Sequence, residues 1–267
     1  MDQDFGGEAD GAWTSLPLCR AYSVTFAGHL PVLIAQDGGG RPGSIWWMLG
    51  WLSTGETEAL GAWSGRHDSN PDWATVLAEL EVRGVQRVGL ACTATDLAIP
   101  ECVPPGIRVD AYVEGLDDWQ GSRVAQPKAS RRLADRNWRR DVVCAENYEE
   151  AISALAVAAL SPWASRHQEL IEERRYALER LRQLWTRPPA LRRELLSGDG
   201  TVAAVSQSLR RSVARHGPFF DQESALAFGR QALDKSIRRI ALRSDAGVTE
   251  HNHHRVGFSP RMAALGV

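Results

Sequence analysis

The sequence predicts an α/β protein in which a mixed sheet, an antiparallel meander plus parallel strands, is joined to a large helical part. Short apolar runs separated by Gly-rich or polar turns fill residues 21–66, a proline-initiated helical segment then feeds an apolar run ending at Cys92, and helical spacing sets in at Tyr148. A strand that follows a helix after a meander lies parallel to its neighbour, because the helix carries the chain back along the sheet. The 267 residues, 43% hydrophobic and 24% charged, suffice for one large core or two small ones. Disordered, collagenous and coiled-coil chains have other compositions.

The acidic, Gly-rich start is expected to form a loose segment over residues 1–20. Tyr22-Ser23-Val24-Thr25-Phe26 and Pro31-Val32-Leu33-Ile34-Ala35 are short strand signals, and Gln36-Asp37-Gly38-Gly39-Gly40 closes the second as a hairpin-like turn. Ser44 to Trp51 and Thr57 to Trp63, joined by Ser53-Thr54-Gly55-Glu56, complete the meander. From Asn70-Pro71 to Gly84, Trp73, Val76, Leu77 and Leu80 share one helical face, with proline at the start and glycine at the stop. Val85 to Cys92 follows as an apolar strand. Residues 115–145 are polar, Arg-rich and nearly aperiodic, which predicts a linker or loosely helical connector. Helices are expected over 149–160, 163–185, 189–196, 201–215 and 222–239, the longest aligning Leu170, Ile171, Leu178, Leu181 and Trp185. The expected organisation is a sheet core over 21–115, a helical insertion over 116–196, C-terminal helices completing the core over 197–240, and an aperiodic tail over 241–267.

The net charge of −2 averages two halves of opposite sign. Residues 1–120 hold 6 Arg and 17 Asp or Glu, a balance of −11, whereas residues 161–240 carry +6. A basic helical half is the footprint of a polyanion partner, with a solvated helical surface as the alternative. Of 31 basic residues only Lys128 and Lys235 are lysine, and arginine suits bidentate phosphate contact. No apolar run approaches the roughly 20 residues that span a bilayer, and the first eight residues are acidic where a signal peptide is basic and then apolar. A cytoplasmic protein without membrane contact is expected. Cys19, Cys92, Cys102 and Cys144 lie too far apart for a zinc motif and read as inert thiols.

Taken alone, the residues show no strong catalytic motif: no P-loop, no G-x-S-x-G, no H-E-x-x-H and no dinucleotide fingerprint. Gly38-Gly39-Gly40 runs into Arg41-Pro42 and no helix, so it reads as a turn. The cluster His251, His253 and His254 reads as polar tail rather than as a metal site.

Three antiparallel strands, a helix, a further strand and a long helical region form the plan of a ribonuclease-H-like nuclease core with a helical insertion. Within it, Trp51-Leu52-Ser53-Thr54-Gly55-Glu56-Thr57-Glu58-Ala59-Leu60-Gly61-Ala62-Trp63-Ser64-Gly65 resembles the hairpin of Mutator-type bacterial insertion-sequence transposases, where a D-G turn leads to L-G-x-W-x-G. Trp73 to Arg83-Gly84 resembles the next helix with its closing R-G. Downstream, Trp163, Pro188-Pro189-Ala190-Leu191-Arg192-Arg193, Ser206 to Phe219 and Glu223-Ser224-Ala225 resemble the C-terminal signature in order and spacing. The similarity runs over about residues 22–240.

The resemblance implies an Asp, Asp, Glu triad holding two divalent metals, which activate the attacking oxygen and stabilise the leaving one. Matched residue by residue, the first Asp falls on Gly28, the second on Ala94 and the Glu on Ala203, while the C-x-x-H segment has Tyr112 and Gly115 in its place. Asp37 and Asp96 are the nearby acids, and a two-residue slip on a strand moves a carboxylate several ångströms. No catalytic or metal-binding residue is therefore assigned and no cofactor is expected. The short segment ahead of the first strand is expected to be too small for a helix-turn-helix, so recognition of transposon ends by such an element is not expected.

The expected function is that of a degenerate or domesticated transposase-like protein without DNA cleavage or strand transfer, retaining a DNA- or protein-binding scaffold. Arg192, Arg193, Arg210, Arg211 and Arg215 are the residues expected to meet phosphates. One alternative is an active Mg²⁺-dependent transposase with other carboxylates in the triad. Another is a structural or assembly subunit, a homo-oligomer or part of a protein complex, using Trp-rich surfaces: ten tryptophans are many, and adjacent Trp46 and Trp47 face opposite sides of a strand.

Overall fold

A computed structural model describes residues 16–36, 39–66, 71–94, 103–116, 130–162, 164–198 and 200–253 with Leu97 and Trp119, leaving aside the side chains of Gln36, Arg66, 130–136 and 243–253. Strands β1 (Ala21–Tyr22), β2 (Val24–Gln36), β3 (Gly39–Trp51) and β4 (Thr57–Arg66) precede helix α1 (Trp73–Val82). The short strands β5 (Arg87–Val88), β6 (Ala91–Thr93), β7 (Arg108–Val109) and β8 (Tyr112–Val113) follow. The helical part contains α2 (Ser130–Cys144), α3 (Tyr148–Ala159), α4 (Gln168–Arg180), α5 (Pro189–Leu196), α6 (Thr201–His216) and α7 (Gln222–His253), with 3₁₀ turns at Ala164–Arg166 and Arg182–Thr186.

The larger sheet has the order β4-β3-β2-β6-β8. Its first three strands form the expected antiparallel meander, and β6 and β8 add parallel to β2. A second parallel sheet, β1-β5-β7, is the continuation of β2, β6 and β8 on the far side of a bend in each chain segment.

Several elements differ from the sequence expectation. The two runs 22–26 and 31–35 belong almost wholly to one long strand that passes through Pro31. Odd residues of β2 turn their backbone groups away from β3: Thr25 N–H donates to Leu90 O at 2.9 Å and Ala35 N–H to Phe219 O at 2.6 Å. Pro31 is one of these, so its missing N–H removes no bond to β3. The apolar run 85–92 bends between β5 and β6 instead of forming a single strand. Segment 130–144 is a full helix, because arginine is a good helix former and Trp138, Val142 and Val143 suffice to bury one face. The stretch 163–185, expected to be the longest helix, is broken into two 3₁₀ turns flanking α4, and the last helix runs on to His253 instead of ending near 239.

Both faces of the sheet are covered. Helix α1 starts at Asp72, whose carboxylate accepts from Thr75 N–H, and stops at Gly84, where φ is +107°. Its Leu77 and Leu80 line an apolar pocket with Thr25, Ala27 and Met48 on the sheet, and Glu79 accepts from the Trp63 indole at 2.7 Å. The other face meets α6 and α7. Gln222 donates to Ser44 O at 3.0 Å and Arg230 to Ala62 O at 3.3 Å, and Gly229 allows the helix against Ile45.

Candidate functional site

The register of β2 and β6 brings together two of the three positions matched by sequence. Thr25 pairs with Ala91, Phe26 with Cys92 and Ala27 with Thr93. Ala94 N–H then donates to Ala27 O at 2.9 Å, so Gly28 and Ala94 stand side by side where the strands part. Both are buried. Ala203 lies in the first turn of α6, half-buried, between buried Val202 and Val205.

None of the three side chains offers an oxygen. Hard divalent cations need several oxygen ligands, and among the described residues no three His, Cys, Asp or Glu side chains group together to hold an ion. The residues present do not fit a metal pair. Thr93 is buried at this point and its hydroxyl has no hydrogen-bond partner, but one neutral hydroxyl is a poor substitute for a carboxylate. An acid that sequence distance conceals does reach the start of α6: Glu194 accepts from Thr201 N–H at 3.1 Å and from its hydroxyl at 2.5 Å. That carboxylate satisfies the open helix end. Asp37, Asp96, Asp199 and His254 lie outside the described residues, as do the side chains of His251 and His253.

The local electrostatics are those of a dry core with a cation at its edge. Burial pushes the Cys92 thiol up to about 12, against the pull of the Arg187 guanidinium. Arg187 itself donates to Gly89 O at 2.8 Å, tying the helical part to the sheet. The Trp47 indole, 3% exposed, packs on Phe26 with ring centroids 5.3 Å apart and faces Gly28 directly across the β2-β3 ladder. At the segment matched to C-x-x-H, Tyr112 is half-buried on β8, and Gly115 takes φ +75° beneath the Arg180 guanidinium.

The five arginines expected to contact phosphate separate into two groups. Arg192 must be withdrawn: it is 0% exposed, stacks on Trp185 at 5.4 Å, and donates to the carbonyls of Val143 (3.2 Å), Arg187 and Ala145. A guanidinium used in this way has nothing left to offer a phosphate. Arg193 is exposed on α5, and Arg210, Arg211 and Arg215 are exposed along the second half of α6. Burial of Arg192, and of Arg174, which donates to Trp119 O at 2.6 Å, was not legible from residue type. Arg192 does sit one residue before an exposed arginine and three before buried Leu195, the helical spacing of an inward face.

The surface expected of an assembly subunit is also corrected. Trp46 and Trp47 do face opposite sides of β3, yet they are 4% and 3% exposed, because each side of the sheet carries helices. The other described tryptophans are buried, apart from half-buried Trp73, so no Trp-rich surface exists among the described residues. Cys19, Cys92 and Cys144 are free thiols, and Cys102 lies outside the described residues. No helix among the described residues is long and apolar enough to cross a membrane.

A family model described as the Mutator family of transposases matches residues 6–233. The chain is 25% identical over 229 residues to a transposase for insertion sequence element ISRM3 of Rhizobium meliloti, covering 82% of this chain and 54% of that protein. It is 25% identical over 221 residues to a probable insertion-sequence transposase of Corynebacterium diphtheriae, covering 80% and 62% respectively. A probable ISRM3-like transposase of Sinorhizobium fredii matches at 23% identity. The chain thus spans about half the length of the first two relatives named for ISRM3.

Proposed function

The chain belongs to the Mutator family of transposases, and from that premise we propose that it is a degenerate, domesticated member that binds DNA but neither cleaves it nor transfers strands. The observation that carries this reading is the pair Gly28 and Ala94. They occupy adjacent places at the parting of β2 and β6, where two carboxylates of a metal site would have to meet, and neither bears one. The strand order, a meander followed by two parallel additions with α1 crossing between them, supports a ribonuclease-H-like scaffold. Three residues beyond the end of α6, Phe219 bridges Ile34 of β2.

What remains are four exposed arginines on α5 and α6, Arg193, Arg210, Arg211 and Arg215. Affinity of this kind is electrostatic, falls steeply with salt and needs no catalytic group. On this reading DNA is the partner, met in the cytoplasm, and membership of a transposase family supports it. The active-transposase alternative has no carboxylate cluster among the described residues to support it.

The test is direct. Purified protein is incubated with supercoiled and linear DNA in Mg²⁺ or Mn²⁺, and binding is measured across a salt series. The expected result is salt-sensitive binding without nicking; metal-dependent nicking that chelation abolishes would overturn the proposal.

A further inference from the structure

We infer that the first triad position has been built over as well as stripped of its acid: Trp47 fills the volume that a side chain at position 28 needs, so restoring carboxylates does not by itself re-arm the site. This inference rests on the proposed loss of the triad. Gly28 and Trp47 are direct cross-strand partners in the β2-β3 ladder. A Cβ placed on Gly28 would lie 2.9 Å from Trp47 Nε1 and closer still to Cε2 and Cζ2, inside the separation that packed atoms tolerate. The indole has little room to retreat. It is 3% exposed, rests on Phe26, and has Ala62 as its partner on the opposite strand. Gly28, Trp47 and Ala62 therefore form one row across three strands, a large ring between two small residues. Glycine weakens a strand interior, and an aromatic ring leaning over it from the neighbouring strand restores the missing packing.

Gly115, matched to the histidine of the family's C-x-x-H, takes φ +75° and has the Arg180 guanidinium against it, but that is the movable end of a half-buried side chain, so only the core-held indole at position 28 closes its volume.

A double-mutant cycle on the full chain tests this, with thermal unfolding as the readout. Gly28→Ala adds one uncharged methyl. It is expected to lower Tm by about 3–10 °C beside Trp47, the size of an overpacking penalty in a domain this large, and to lower it little or not at all in the Trp47→Ala background. An equal shift in both backgrounds, or none in either, would overturn the inference. A second arm titrates Mn²⁺ against Gly28→Asp/Ala94→Asp with Trp47 in place. Neither binding nor wild-type Tm is expected, and a variant as stable as the parent that binds Mn²⁺ would overturn the inference. Nicking by the wild-type chain would refute the proposed loss of activity instead, so the two failures are distinguishable.

Discussion

The Arg192 guanidinium donates to three backbone carbonyls while stacked on Trp185, so truncating it leaves buried acceptors without donors. Unsatisfied buried groups of this kind are expensive. Arg192→Ala is expected to lower unfolding stability by about 3 kcal/mol or more, measured by chemical denaturation, whereas Arg210→Ala leaves the midpoint unchanged. Cys92 is a contrasting case. Burial holds its thiol neutral up to about 12 from an ordinary value of 9.0, so above pH 9 the unfolded chain releases this proton before the folded one does. Native stability is therefore lost as pH rises from about 9 towards 12. Cys92→Ala is expected to flatten that part of the stability profile. Because reactivity follows exposed thiolate, the same variant should leave the native titre with a thiol reagent at pH 8 unchanged.

Among the elements, α3 owes its start to a local signal. Asn147 Oδ1 accepts from Glu150 N–H at 2.9 Å, and the Glu150 carboxylate accepts in turn from Glu146 N–H at 2.9 Å and from Asn147 Nδ2 at 3.1 Å. This is a reciprocal cap. Asn147→Ala is expected to cost about 1 kcal/mol of unfolding free energy, and the measurement is again denaturant unfolding. Helix α6 is divided along its length. Its stretch up to Leu209 buries Thr201, Val202, Val205 and Leu209, and the stretch beyond presents Arg210, Arg211 and Arg215. Changing those three arginines to Glu is expected to weaken DNA binding at low salt by about tenfold or more and to reduce the log–log salt slope by about 0.9 for each phosphate no longer neutralised. An unchanged slope would show that this face does not meet phosphate.

At the scale of the whole molecule, an acidic sheet region and a basic helical region share one core, and bonds of long reach join them: Gln222 to Ser44 and Gly65, Arg230 to Ala62, Arg187 to Gly89. If what remains of the function is electrostatic, raising salt should release DNA without unfolding the protein, a separation that binding and circular dichroism measured over one salt series would show. Sequence alone determined the antiparallel meander with a further parallel strand, the start and stop of α1, and the bounds 189–196 of α5. Those features depend on period, turn residues and caps, all legible within about ten neighbouring residues. The segment 130–144 reads in sequence only as a linker or loosely helical connector, because the buried face of its helix has too few apolar residues to show a period. Tertiary structure alone decided that Arg192 is a buried strut while its neighbour Arg193 is exposed, that Trp46 and Trp47 are both covered, and that the Trp47 indole closes over Gly28. Burial belongs to whatever packs on a residue, and here partners arrive from another strand or from segments tens of residues or more away, as Val143 and Ala145 do for Arg192, where no local pattern records them.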